Sequence, residues 1–157
     1  MNTFTDRDML AWHLQVASGI VGHFGITDAD ADMIEPYPGY EHEFSRLIDE
    51  DSARIAVSPL GALILAENPA DIGYELPTGW RRKSMKYWSK LPAVAAFAQY
   101  LVAVHNAEPG PTHADTINEW RRHPVIDETT VVKTLRAAAD AVERATFTPE
   151  SLAVVTA

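Results

Sequence analysis

The chain of 157 residues contains no cysteine, which excludes a disulfide framework, thiolate zinc sites, iron–sulfur clusters and thiol nucleophiles. Folding therefore rests on packing alone. No run approaches the roughly 18 apolar residues of a membrane span, and Asp6, Arg7, Asp8 and His13 stand where the apolar centre of a signal peptide would lie. Both absences predict a cytoplasmic chain. Cations are scarce as well: 13 Lys and Arg against 22 Asp and Glu leave a net charge of −9. Neutralising phosphates needs clustered basic residues, so generic nucleic-acid binding is disfavoured. There is no glycine-flanked serine elbow and no phosphate loop with a following lysine. No motif names a reaction, and none implies a cofactor.

What is present is a core and an uneven distribution of charge. A chain of this length with 46% hydrophobic residues can bury roughly 68–70% of its unfolded surface in one domain. Residues 1–51 hold eleven carboxylates against Arg7 and Arg46, whereas residues 52–157 hold eleven of each sign, so the whole excess lies in the first third. No acidic residue falls between Glu75 and Glu108, a window that carries Arg81, Arg82, Lys83, Lys86 and Lys90.

Periodicity predicts a mainly α chain, a compact single-domain bundle of six to seven helices spanning 1–157. Thr5 to Asp8 resembles a capping box, and Met9, His13, Val16, Ile20 and Phe24 follow at helical spacing, so a first helix is expected from Asp6 to about His23. Leu10, Leu14, Ala17 and Val21 widen its stripe enough to pack on two sides. Thr27 caps a short acidic helix, Asp28 to Glu35, closed by the turn Pro36-Tyr37-Pro38-Gly39. Tyr40 to Glu50 forms another, on Phe44, Leu47 and Ile48. Ala53 to Val57 reads as a short strand. Ser58-Pro59 then starts a helix over Leu60 to Ala66, although the same run suits the return strand of a hairpin. Asn68 to Gly79, with Pro69, Gly73, Pro77 and Gly79, is a connecting loop and the one internal sub-boundary. Trp80 to Ser89 is a basic, aromatic helix.

Pro92 leads into a central helix, Ala93 to Asn106, and Thr112 caps a short one that ends before Pro124. Asp127 caps the clearest helix of all, with Val131, Leu135, Ala138, Val142 and Ala145 opposite Lys133, Arg136, Asp140 and Arg144. Arg136–Asp140 and Asp140–Arg144 are spaced for exposed ion pairs. Thr148-Pro149-Glu150 begins a last short helix whose Leu152, Val154 and Val155 need a groove.

Three constellations bear on function. Asp28-Ala29-Asp30-Ala31-Asp32 has the alternation of a calcium loop, but Met33 and Gly39 stand where that loop needs glycine and glutamate. These carboxylates suit a helix start instead. The six histidines lack the i, i+4 pairing that presents two ligands from one helix face, which leaves His42, His105 and His113 as a metal set only if the fold assembles them. Trp80, Arg81, Arg82, Lys83, Lys86, Tyr87, Trp88 and Lys90 interleave cations with aromatics, a composition that clasps an anionic partner or else buries its rings and solvates its cations.

Three short helices followed by Ala53-Arg54-Ile55-Ala56-Val57-Ser58-Pro59-Leu60-Gly61-Ala62-Leu63 resemble the end of a winged-helix DNA-binding domain, where a wing strand runs into a Ser-Pro helix start. The resemblance covers about 60 residues and implies a transcriptional regulator. Its recognition position would be Tyr40 to Glu50, whose Glu41, Glu43, Asp49, Glu50 and adjoining Asp51 oppose a single Arg46 and would repel phosphates.

The reading that follows is a non-enzymatic macromolecule-binding protein: an adaptor, assembly component or inhibitor, of which a DNA-mimicking inhibitor from a mobile element is one concrete version. Its partner, most simply another protein, would meet the basic aromatic window 80–90 or the acidic third, Asp28, Asp30, Asp32, Glu41 and Glu43 among them. A winged-helix regulator and a small metal-dependent enzyme are the alternatives.

Overall fold

The computed structural model describes residues 5–26, 34–36, 55–67, 88–123 and 125–153. Among these it is mainly helical. In chain order the elements are α1 (Asp6–Phe24), β1 (Ile34–Pro36), β2 (Ile55–Val57), α2 (Pro59–Glu67), α3 (Pro92–His105), α4 (His113–Arg121), α5 (Glu128–Glu143) and α6 (Glu150–Ala153). The expected helices Tyr40 to Glu50 and most of Trp80 to Ser89, the 68–79 loop, and Val154 and Val155 lie outside the described residues.

Local chemistry sets the helix ends. At α1 the Thr5 hydroxyl accepts from the Asp8 amide while the Asp8 carboxylate accepts from the Thr5 amide, the reciprocal capping box read from the sequence. The helix stops at Gly25, whose φ of 91° is one that side chains rarely tolerate. Ser58 caps α2 by accepting from the Gly61 amide, with Pro59 as its first residue. Thr112 caps α4 and Asp127 caps α5. α3 ends on Asn106 in the left-handed region, at φ 55°.

Hydrogen bonds lifting the Thr5 amide and hydroxyl onto Asp8, and the Thr130 amide onto Asp127, hold both carboxyls below their ordinary value. A depressed pKa in the folded state contributes stability that is present above the unfolded value, near 3.8, and is lost as pH falls through it. Asp127→Ala is therefore expected to lower stability at neutral pH by removing the cap of α5. In melts run downwards in pH, its deficit relative to wild type should shrink below pH 4.

α1 and α5 form the principal packed pair, and they run antiparallel. Arg7 near the start of α1 donates to the Val142 carbonyl at the end of α5 (2.9 Å), while the Ile26 amide just past α1 donates to Glu128 in the first turn of α5 (3.1 Å). The buried residues of the two helices are Leu10, Ala11, Leu14, Ala17, Ser18 and Val21 on α1, which also packs against α2, and Val131, Thr134, Leu135, Ala138, Ala139 and Val142 on α5. The centre of the α1 stripe is thus Leu10, Leu14, Ala17 and Val21. The series expected to lead it is a flank, and Met9 is exposed. Ala145 does not extend the α5 stripe, because it lies beyond the helix, exposed and at φ 59°. On the outer face of α5, Asp140 and Arg144 pair at 3.0 Å across exposed surface, worth a few tenths of a kcal/mol.

α2 is buried from Pro59 to Leu65, consistent with a helix that is apolar all round. Phe97 and Leu101 of α3, Ile117 of α4 and Trp88 complete one contiguous cluster with α1, α2 and α5. Phe97 meets Trp120 edge to face at 5.7 Å.

The strand expected before Ser58 is present as β2, and Pro59–Glu67 is a helix rather than a return strand. β1 corrects the acidic helix Asp28 to Glu35. Ile34, Glu35 and Pro36 pair antiparallel with Val57, Ala56 and Ile55, so the last residues of that segment are extended. Ladder bonds to a strand some twenty residues away hold Ile34, Glu35 and Pro36 extended, and residues 28–33 lie outside the described residues. The Val57 amide also donates to the Gly25 carbonyl at 2.9 Å, which ties this small ladder to the end of α1.

Candidate functional site

The expected partner-binding residues fall into two groups. Trp80, Arg81, Arg82, Lys83, Lys86, Tyr87, Asp28, Asp30, Asp32, Glu41 and Glu43 lie outside the described residues, as does His42. Trp88 and Lys90 are described, and the structure separates them. Trp88 is 1% exposed and belongs to the core, so its ring packs inside instead of meeting a partner. Lys90, two residues on, is exposed.

Lys90 opens onto a groove of about 890 Å³. One wall is the outward side of α3, with Gln99, Val102 and Ala103. The other is the Pro109-Gly110-Pro111-Thr112 segment and the start of α4, with His113 and Thr116, and Phe147, Thr148 and Glu150 close one end. Each wall has a local cause. The Ser89 hydroxyl accepts from the Ala114 amide at 2.8 Å, which fixes the chain before Lys90 against the first turn of α4. Gly110 donates to the Thr116 hydroxyl at 2.9 Å and approaches so closely that a Cβ there would stand 2.9 Å from the Asp115 Cβ. Phe147 is held by an edge-to-face contact with Tyr100 at 5.5 Å, and the Glu150 amide donates to Gln99 at 2.9 Å. Val102 is 36% exposed. Among the described residues the groove thus offers apolar surface beside Lys90, with His113 and Glu150 as its other ionisable groups.

A second cavity of about 230 Å³ is lined by Asp6, Met9, Leu10, His13, Glu67, Pro92, Ser151 and Leu152. His13 Nδ1 lies 3.5 Å from Glu67 Oε1. That order, with Ser151 in the same cavity, has the outline of a nucleophile–base–orienter relay. No hydrogen bond joins Ser151 to His13 among the described residues, and Glu67 has another task. Its Oε1 accepts from the Ala93 amide at 3.1 Å, which caps α3, whose own N-cap residue Leu91 has no side chain to do so. Burial pushes the Glu67 carboxyl above its ordinary value, outweighing the Ala93 amide and the nearby imidazole.

A raised carboxyl pKa makes ionisation work against the fold, so stability falls as pH rises above the unfolded value near 4.5. Glu67→Gln keeps an acceptor for Ala93 and removes the charge. Its stability relative to wild type should climb in melts taken from about pH 4.5 upwards. Glu67→Ala orphans the amide and should cost about 1–3 kcal/mol.

His105 is exposed, and His113 places Nδ1 3.5 Å from the Ser89 carbonyl. Among the described residues no group of three His, Asp or Glu side chains is arranged to hold a metal ion. Nor is any described helix long and apolar enough to cross a membrane. Compared with protein-family models, curated proteins and solved structures, the chain matches none.

Proposed function

We propose that this is a non-enzymatic binding protein, an adaptor, assembly component or inhibitor, whose groove beside α3 takes a segment of another protein. The segment carries carboxylates and at least one apolar side chain. The observation that supports this most is the placement of exposed Lys90, the last cation of the basic window, on the same open groove as Val102 and Phe147. Opposite charge would draw the segment in and fix its direction, while burial of its apolar side chain would hold it. The excess of carboxylates in residues 1–51 would suit a basic partner.

The test uses short synthetic peptides that alternate glutamate with leucine or phenylalanine, and matched peptides with lysine in place of glutamate. Wild type should bind the acidic series preferentially. Changing Arg81, Arg82 and Lys83 to glutamate should weaken that binding several-fold with the melting temperature unchanged. Unfolding of the triple variant would make the window structural and overturn its assignment as a partner-binding surface, and equal binding of both peptide series would overturn the proposal itself.

A further inference from the structure

The smaller cavity, lined from α1, the end of α2, the start of α3 and α6, holds a polar atom that the fold leaves unanswered. The Glu67 side chain is 8% exposed. Its Oε1 accepts from the Ala93 amide and lies 3.5 Å from His13 Nδ1, but its Oε2 is buried and has no hydrogen-bond partner among the described residues. Native interiors rarely leave such an acceptor open. Burial pushes this carboxyl above its ordinary value in spite of the amide and the imidazole, so the ionised form is short of opposing charge. A bound cation with N–H donors would supply both the donor and the charge.

The rest of the lining narrows the kind of cation. Exposed Asp6 adds a second carboxylate, and neither lysine nor arginine stands among the described lining residues. Positive charge is favoured there. Met9, Leu10, Pro92 and Leu152 make the remaining wall apolar, which suits a hydrocarbon chain, and no three His, Asp or Glu side chains among the described residues are arranged to hold a metal ion. The volume of about 230 Å³ is several times the roughly 30 Å³ share of one water molecule, yet below the roughly 300 Å³ at which drug-sized sites begin. The occupant is therefore small. We infer that this cavity binds a small primary alkylamine, its ammonium donating to Glu67 Oε2 and its chain lying against Met9, Leu10 and Leu152. A water molecule would answer the acceptor without matching the charge. The cavity shares no described lining residue with the groove beside α3.

The test is a chemical-shift titration of the ¹⁵N-labelled full chain with n-pentylamine, 1-pentanol and pentanoate at neutral pH, where the amine is an ammonium ion. The amine should give saturable shifts centred on the amides of His13, Glu67, Ala93 and Leu152. Pentanol, which matches its length but carries no charge, should bind at least about tenfold more weakly, and pentanoate should leave these amides unmoved. Glu67→Gln keeps the acceptor for Ala93 and puts N–H donors in place of Oε2. It should reduce amine binding to the level of the alcohol without lowering the melting temperature. Met9→Lys, at a position on the cavity wall that is 44% exposed, tethers a competing ammonium at the mouth and should weaken binding as well. Equal binding of amine and alcohol, amine binding undiminished in Glu67→Gln, or the absence of saturable shifts at these amides would each overturn the inference.

Discussion

Trp88→Ala is expected to cost about 3–5 kcal/mol, the range for emptying a large aromatic site in a packed interior. The ring is 1% exposed and is among the largest fully buried side chains described. The chain also changes direction just after it: the Leu91 amide donates to the Trp88 carbonyl at 3.1 Å, immediately before Pro92 begins α3. Loss of the ring therefore opens a cavity in the core just ahead of α3. Urea melts measure the cost. A loss under about 1 kcal/mol, typical of a surface change, would mean that the indole lies outside the core.

Leu135→Ala comes next, at about 2–5 kcal/mol. Leu135 is fully buried at the middle of α5, on the stripe that closes over α1. The buried side of α1, the helix that α5 packs against, includes Ala11, Ala17 and Ser18, and that of α5 includes Ala138 and Ala139. A cost below roughly 0.5 kcal/mol in the same melts would mark the stripe as exposed surface.

The helical frame was legible because its signals are local. Thr5 with Asp8, Ser58 with Pro59, Thr112 and Asp127 are short patterns that act on their own neighbouring amides, and all four operate as read. What failed depended on distant partners. In α1 the series Met9, His13, Val16, Ile20 and Phe24 suggested the centre of a stripe that Leu10, Leu14, Ala17 and Val21 widen, yet the latter four are the buried ones, together with Ala11 and Ser18, and small residues carry little weight in a hydrophobic pattern. Residues 34–36 have no feature of their own that announces a strand; the pairing with 55–57 makes them one.

The candidate site was legible only at Lys90. Its groove is assembled from segments around positions 90, 100, 110 and 148, and no local spacing reveals such a set. Trp88 and Lys90 show the limit clearly. Both belong to one aromatic–cationic stretch, and only tertiary packing decides that the first is core and the second surface. Glu67 was missed for the same reason. Its one sequence signal is an isolated carboxylate ending the apolar run 59–66, and its partners, Ala93 and His13, are 26 and 54 residues away.

The claim that the groove beside α3 receives an acidic, apolar segment through Lys90 is tested most directly by stopped-flow association of a labelled glutamate–leucine peptide with wild type and with Lys90→Glu, over a range of salt. Attraction between exposed charges is screened beyond about 8 Å at physiological ionic strength. Wild-type association should therefore slow as salt rises, and Lys90→Glu should be slower at low salt and less sensitive to salt, with an unchanged melting temperature. Association that is independent of salt and the same in both proteins would contradict the account.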